Sequence, residues 1–590
     1  MRIKLLFFTA LVSVSFLLQE NIPIFWIYAA LGIYFFFQLP RFPSRINLTM
    51  GFALGFCTLC LGYLVSPYDF TSVLREGLRY VFLLLIFLEL RDPANEDLLD
   101  KILRIIIFLA VLMGFGGVYQ VFFALDPMPL SWAATPGVEP WLKRAFGLFD
   151  NPNLFGTFLF LSAFASSFLW LEREEKLMAP TAFFLWGVLI LTQSRGAILA
   201  AVITLVFFAL VCAKRYRGTL WILAAVLCLG FFLSGRGKSL VSQDLGVNQR
   251  WELLKGSISF FKAHWKTGIS PGSFYLVYPQ YRTVGGYYPL HAHNHFLEIL
   301  VETGVLGGFL FLGFCCGLLR YFYQTRGSPW ALAMFLGILI NSMTNQSFSF
   351  FPISLLALCA LLVMSPPSPL EWKHPSKLWF LLFYLLAALL FAEFHKSAIL
   401  ADFLGPLGKP GDYPFYVRRD LFTVTRLVFR VISRNGENGS EKEPVSEEDF
   451  RLCEKWLRPL LRTYPHEGEV PYLLYSLYAQ RGNWKLAVAM LHLARQRDPL
   501  SEKYAVSLMD YHLLKGQAED ARILGEQAVV SNPGYRRINP WYDQLQIRLF
   551  KAYQILEEYE VLREKLEEGI WVDEELGKRV YERWKKNLIP

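Results

Sequence analysis

Residues 154–171 read LFGTFLFLSAFASSFLWL, a run of eighteen positions without a formal charge. A hydrocarbon core of about 30 Å is crossed by roughly 20 such residues in a helix. Blocks of similar character recur along the chain, near 5–18, 22–39, 48–65, 73–90, 102–125, 154–171, 178–193, 196–213, 219–234, 296–319, 330–343, 350–364 and 378–396. The composition agrees: the 590 residues are 54% hydrophobic and 16% aromatic with a formal charge of +9, and the mean hydropathy is +0.34. A soluble globular chain is far less apolar. These observations predict an all-α polytopic membrane protein with about 13 transmembrane helices, followed by a helical tail.

Basic residues give the expected orientation, because Lys and Arg in short connections stay cytoplasmic. Arg2 and Lys4, Arg41 and Arg45, Arg91 with Lys101 and Arg104, Arg173 with Lys176, KRYR at 214–217, Arg320 with Arg326, and Lys373 with Lys377 fall in every second connection. All therefore belong to one side. The N-terminus is expected in the cytoplasm and everything after residue 396 outside. MRIKLLFFTALVSVSFLLQ has the basic start and apolar core of a signal peptide, but no small-residue cleavage site follows; it reads as a retained first helix.

The same alternation puts the unusual polar connections on the outer face: SPYDFTS at 66–72, the segment 126–153 ending in FDNPN, QSRG at 193–196, a long loop at 235–295 and TNQSFS at 344–349. No ATP is available there, so a transfer reaction must use a donor that is already activated. Of the eight cysteines seven lie in apolar blocks and Cys453 in the tail, which leaves no disulfide framework and no zinc-ribbon spacing.

Beyond a linker at 397–446, the region 447–590 contains an internal repeat. AQRGNWKLAVAMLHLARQRDP at 479–499 aligns with LLKGQAEDARILGEQAVVSNP at 513–533, with Gly482 over Gly516, Ala487 over Ala521, Ala494 over Ala528 and Pro499 over Pro533. Pro465 continues the period upstream. A 34-residue period with small residues at helix crossings resembles tetratricopeptide repeats. This predicts an extracytoplasmic solenoid with a protein-binding surface.

Several residues could carry chemistry. Arg195, in the turn QSRG between two apolar helices, needs an anion: a lipid phosphate, a carboxylate such as Asp69 or Glu76, or a substrate phosphate. RGKS at 236–239 lacks the glycine that a phosphate-binding loop needs at 232, where Phe232 stands, so nucleotide binding is rejected. Arg250 begins a stretch with Trp251, Leu254, Ile258 and Phe261 on one helical face, suited to a membrane surface. Gly268 and Gly272 flank a turn, and Tyr278, Tyr281, Tyr287 and Tyr288 supply aromatic surface for sugars or for the interface.

HAHNHFLEILVETG at 291–304 holds three alternating histidines. On a strand His291, His293 and His295 would share a face, as zinc ligands do. In a helix from Asn294, His295, Glu298 and Glu302 would line one side. The competing use of such a histidine is as a base, because imidazole titrates near neutral pH.

SRGA, the Arg250 helix, the G-x-x-x-G turn and AHN-x-x-L-x-x-x-x-E-x-G occur in this order along one polytopic chain. In this the sequence resembles the bacterial O-antigen ligase and polymerase superfamily, over roughly 100–364. The resemblance implies an inverting glycosyltransferase of the bacterial inner membrane without metal or other cofactor. It would move a glycan from an undecaprenyl-diphosphate carrier to a hydroxyl acceptor on the periplasmic face. It further implies that Arg195 and Arg250 bind the diphosphate and that His293 is the catalytic base. Asn294, Glu302, His291 and His295 would be supporting residues, with no role assigned to Glu302. The acceptor is open among lipid A-core, which makes a ligase and is preferred, a growing glycan, which makes a polymerase, and a protein hydroxyl. Membrane lipids and a protein bound to the repeats are further expected partners, and nucleic acid is not. A glycan-export scaffold and a metal-dependent hydrolase are the alternatives from other classes.

Overall fold

The computed structural model describes residues 48–65, 70–91, 95–123, 144–149, 151–211, 216–233, 245–283, 291–324, 329–365, 445–464, 467–531 and 540–557, with a few positions between them. These residues are helical apart from turns and a two-residue antiparallel pairing of Phe42–Pro43 with Trp372–Lys373. The membrane part contains α1 (Leu48–Gly62), α2 (Phe70–Arg91), α3 (Glu96–Phe122), α4 (Pro152–Leu171), α5 (Met178–Leu191), α6 (Arg195–Val211) and α7 (Arg217–Leu233). A less apolar helix, α8 (Leu245–His264), precedes α9 (His295–Gln324), α10 (Pro329–Ser342) and α11 (Phe351–Met364). Ten of the thirteen expected spans thus coincide with helices. The other three, at 5–18, 22–39 and 378–396, lie outside the described residues apart from isolated positions.

Three of these helices are long and apolar enough to cross a membrane by themselves: Glu96–Phe122, Pro152–Leu171 and His295–Phe322. The exposed residues of α3 show what such a helix faces. Phe108, Leu112, Phe115, Tyr119 and Phe122 recur at alternating steps of four and three, and each is more than half exposed. An apolar stripe this long would aggregate in water; against lipid tails it costs nothing. The chain is a polytopic helical membrane protein.

Helix α4, the opening stretch of sequence, is the centre of the bundle. All but its last two residues and Asn153 are buried, and α3, α5, α6, α10 and α11 pack around it. Its start is fixed by Asn151, whose side chain accepts from the Asn153 N–H, and by Pro152 in the first turn. At about 1.5 Å per residue, its length separates two polar ends by about 30 Å. Near the end of α4, Arg104 pairs with Glu175 at 2.6 Å, and Trp330 Nε1 donates to Glu172 at 3.0 Å. Near its start lie Thr192, Arg144 and Asn153, with Arg144 donating to both of the others.

Helix α9 departs from expectation. The apolar run 296–319 predicts one continuous helix, but Gly304 is non-helical inside it (φ 67°, ψ −170°) and divides a short segment, 295–303, from the rest. Hydropathy does not register this break, because a glycine lowers the apolar average very little.

The tail forms α12 (Glu447–Thr463), α13 (Glu469–Gln480), α14 (Trp484–Arg497), α15 (Glu502–Leu514), α16 (Ala518–Ser531) and α17 (Pro540–Ile555). Successive helices pack on one another. Gly482 and Gly516 both take positive φ, 67° and 74°, in the turns before α14 and α16, and Ala487, Ala494, Ala521 and Ala528 are all buried. The aligned positions of the sequence repeat therefore occupy equivalent places in two consecutive helix pairs. The tail also shares a hydrophobic core with the long loop: Leu253, Phe260 and Tyr278 belong to the same cluster as Val424, Trp456, Leu457 and Leu460.

Candidate functional site

His291 to Asn294 turn the chain into α9, and each end of that turn is anchored. Asn294 caps the helix: its carbonyl accepts from the Glu298 N–H at 2.9 Å and its side chain from the Leu297 N–H at 3.0 Å. Glu298, one turn in, reaches back to hold the two residues on the other side. One carboxylate oxygen is 2.7 Å from His291 Nδ1, and the other accepts from the Ala292 N–H at 2.9 Å. His293 lies between these anchors in the left-handed region, at φ 50°. Non-glycine residues in that conformation are uncommon and concentrate where the surroundings enforce them for function.

This geometry corrects one local expectation for the histidines: there is no strand here on which three imidazoles share a face. The helical expectation stands, since His295, Glu298 and Glu302 all lie in the helical segment 295–303 and all are buried, and Glu298 in addition reaches back to His291. His295 opens α9 and lies against Phe311. Among the described residues no three His, Cys, Asp or Glu side chains gather as a metal ion would require.

Glu302 and the glycines around it have a clear structural task. The turn at 268–274 is stitched to the kink of α9: the Ile269 and Ser270 amides donate to the Glu302 carbonyl at 3.0 and 2.9 Å, and Val305 N–H to Trp265 O at 2.8 Å. The Glu302 carboxylate accepts from the Phe274 N–H at 3.2 Å. Gly268 and Gly304 both have positive φ, and they approach so closely that a Cβ on Gly268 would meet the Glu302 carbonyl oxygen at 2.3 Å. The acidic position thus organises the loop backbone behind the histidine turn.

Arg195 begins α6 directly after the QSRG turn, in which Gln193 is also left-handed, at φ 50°. Gly196 lets this turn press on the TNQSFS connection: a Cβ there would lie 2.6 Å from Asn345 Nδ2. From that connection Gln346 hydrogen-bonds His293. Arg250 on α8 lies within electrostatic reach of Arg195 on one side and of His293 on the other. Four distant parts of the chain are therefore brought into one neighbourhood, Arg195 within reach of Arg250, and Arg250 and Gln346 within reach of His293. Two guanidiniums within reach of each other form a site for an anion with several acceptor oxygens.

The electrostatics separate the histidines further. Burial, then the charge of Arg250, then that of His291 hold His293 well below the ordinary imidazole value, at about 4, against weaker opposing effects of Gln346 and Glu298. His293 is therefore neutral at physiological pH and can accept a proton. Burial also opposes charge on His291, but the adjoining Glu298 carboxylate outweighs it and raises that histidine above its ordinary value.

Other expected residues fall elsewhere. Glu76 is taken by the fully buried Arg79, at 2.5 Å, and is no partner for Arg195. Arg79 also donates to Ser349 O at 2.8 Å. Asp69, Tyr287 and Tyr288 lie outside the described residues. Tyr278 is core, 1% exposed, and Tyr281 stacks on Phe260 at 4.7 Å, so neither offers an open sugar platform. On α8 the buried face is Leu253, Gly256, Ser257 and Phe260, whereas Trp251 and Ile258 of the predicted apolar face stay exposed. Sequence reasoning missed the role of Gln346, for which the polar run TNQS between two apolar helices was the available signal, and that of Glu298.

No curated protein matches the chain. Residues 180–312 match the family model described as O-antigen ligase, a narrower stretch than the resemblance over 100–364. It contains the QSRG turn, Arg250 and the whole of HAHNHFLEILVETG. This stretch, which holds the arginines and the histidine just described, is similar to the O-antigen ligase family.

Proposed function

We propose that the protein transfers a glycan from an undecaprenyl-diphosphate carrier to a hydroxyl acceptor at the periplasmic face of the bacterial inner membrane, with lipid A-core as the leading acceptor. The observation that carries this is the neighbourhood of Arg195, Arg250 and a neutral His293, drawn from separate segments. As the acceptor oxygen attacks the anomeric carbon, His293 takes its proton. The bond from that carbon to the diphosphate breaks on the opposite side, so the anomeric centre inverts. Arg195 and Arg250 stabilise the charge that collects on the departing diphosphate, and the carrier needs no protonation to leave. No residue in this scheme requires a metal.

One observation favours a protein hydroxyl as the second acceptor. The helical tail, read as a tetratricopeptide-like protein-binding domain over 447–590, packs on the loop that carries Arg250, which would bring a bound protein close to the reaction.

The test is transfer from the lipid carrier by variants present at normal levels in the membrane. His293→Ala should abolish transfer, whereas His291→Ala and His295→Ala should retain much of it. Arg195→Ala or Arg250→Ala should each lower kcat by about 100-fold, as expected for losing one charge-stabilising donor. Full activity of His293→Ala would remove the base assignment. Deleting the gene and finding which surface glycan loses its anchor, its length or its protein attachment distinguishes the acceptors.

A further inference from the structure

Three consecutive residues of the long loop, Tyr281, Arg282 and Thr283, face in two directions. Tyr281 and Thr283 grip α8. The Tyr281 ring stacks on Phe260 and its hydroxyl is 3.1 Å from His264 Nε2, while Thr283 Oγ1 donates to the Glu252 carbonyl at 3.1 Å. Arg282 points away from that helix and into the tail. Its side chain is 0% exposed and lies 3.9 Å from Asp498. It donates to the Leu500 carbonyl, and its charge acts on the buried Glu502. Asp498 and Leu500 lie in the connection between α14 and α15, and Glu502 is the first residue of α15.

The position of these contacts on α8 matters. At its C-terminal end this helix is followed by the stitch to α9 at 265–270. Arg250 stands some four turns earlier, too far along a helix for that stitch to fix its position. What holds the early turns is the Glu252–Thr283 bond, two residues from Arg250, and the packing of Leu253 in the core shared with the tail. A buried guanidinium with anionic and carbonyl partners on the far side of an interface resists separation of the two surfaces, because opening would leave those anions without a cation.

We infer that Arg282 is a positioning residue for the donor site: by fastening the α14–α15 connection to the loop, it makes the helical tail the backing against which α8 presents Arg250. The tail then has a task in the transfer itself besides any partner it recruits. This rests on the reading of Arg250 as a diphosphate ligand.

The experiment uses the full-length protein in lipid nanodiscs, with amide hydrogen exchange of 250–260 followed beside a titration of the lipid-linked donor. In Arg282→Ala, exchange over 250–260 should rise by about tenfold or more while 295–303 stays unchanged, since local opening follows the loss of contacts. Because Arg250 stabilises the departing diphosphate, kcat should fall several-fold, short of the loss in Arg250→Ala, where that donor is gone altogether. Arg282→Lys, which keeps the charge and loses the planar fork, should fall between the two. Exchange over 250–260 equal to wild type in Arg282→Ala overturns the inference, whatever the transfer rate. Faster exchange with unchanged kcat, together with an Arg250→Ala variant of normal kcat, supports the fastening and removes Arg250 as the donor's ligand. Should Arg282→Ala not fold, Asp498→Asn with Glu502→Gln leaves the arginine in place, removes its anions and is held to the same readouts.

Discussion

At the residue scale, identical imidazoles two positions apart acquire different chemistry from their neighbours. His291 has a carboxylate at 2.7 Å and is pushed toward the charged form, whereas His293 is held neutral by burial and by the charge of Arg250. The sequence pattern placed His293 first through the family motif, yet it could not distinguish the histidines physically. Their difference depends on the reversal at His293, φ 50°, which brings Glu298 back onto His291 rather than His295. A pH consequence follows. In the free protein His293 stays neutral down to about 4, so the acid limb of kcat/KM should lie far below neutrality. A diphosphate beside Arg250 offsets the cation that depresses His293, and an anion favours imidazolium, so the value in the complex must rise. The acid limb of kcat should therefore appear at higher pH than that of kcat/KM, because the two report the complex and the free enzyme. Coincident limbs would show that the bound anion does not approach His293.

At the element scale, the interlocked turn and kink matter more than any span. Gly304 is at φ +67°, and a Cβ there would lie 2.7 Å from the Lys266 carbonyl oxygen. At ψ −170° this is backbone that glycine alone adopts readily, so Gly304→Ala adds a cost of about 1–3 kcal/mol to a backbone clash. The stitch should open: the Ile269 and Ser270 amides, which donate to Glu302 O, should exchange faster, and transfer should fall sharply while the protein remains in the membrane. Unchanged exchange at these amides would mean that the kink is not what holds the loop. The spans were legible because a period of apolar residues as long as a bilayer is hard to produce otherwise; ten of them appear where hydropathy put them. The kink was not, since a glycine inside an apolar run looks like ordinary packing. The buried face of α8 was also misjudged for a physical reason: both of its faces carry large apolar residues, and only the tertiary neighbours decide that Leu253 and Phe260 go inside while Trp251 and Ile258 stay out.

At the scale of the whole molecule, the two ends of the bundle differ in kind. One gathers ordinary ion pairs, Arg104–Glu175, Arg173–Asp100 and Lys4–Glu89. The other gathers the left-handed turns at Gln193 and His293 with the two arginines of the proposed site. Which end faces the cytoplasm decides the chemistry, because nucleotide sugars are available on one side of the membrane and the diphosphate carrier supplies the activated bond on the other. From the distribution of Lys and Arg we propose that the ion-pair end is inside. A single cysteine at exposed Arg173, in a chain with its own cysteines replaced, should therefore resist a membrane-impermeant maleimide in intact spheroplasts. One at exposed Lys515, in the turn before α16 of the tail, should react. Since the tail packs on the loop that carries Arg250, labelling of Lys515→Cys also reports the side of the proposed site. The reverse pattern would place Arg195, Arg250 and His293 in the cytoplasm, and transfer from a lipid carrier to a periplasmic acceptor would no longer be a reaction that this arrangement could perform.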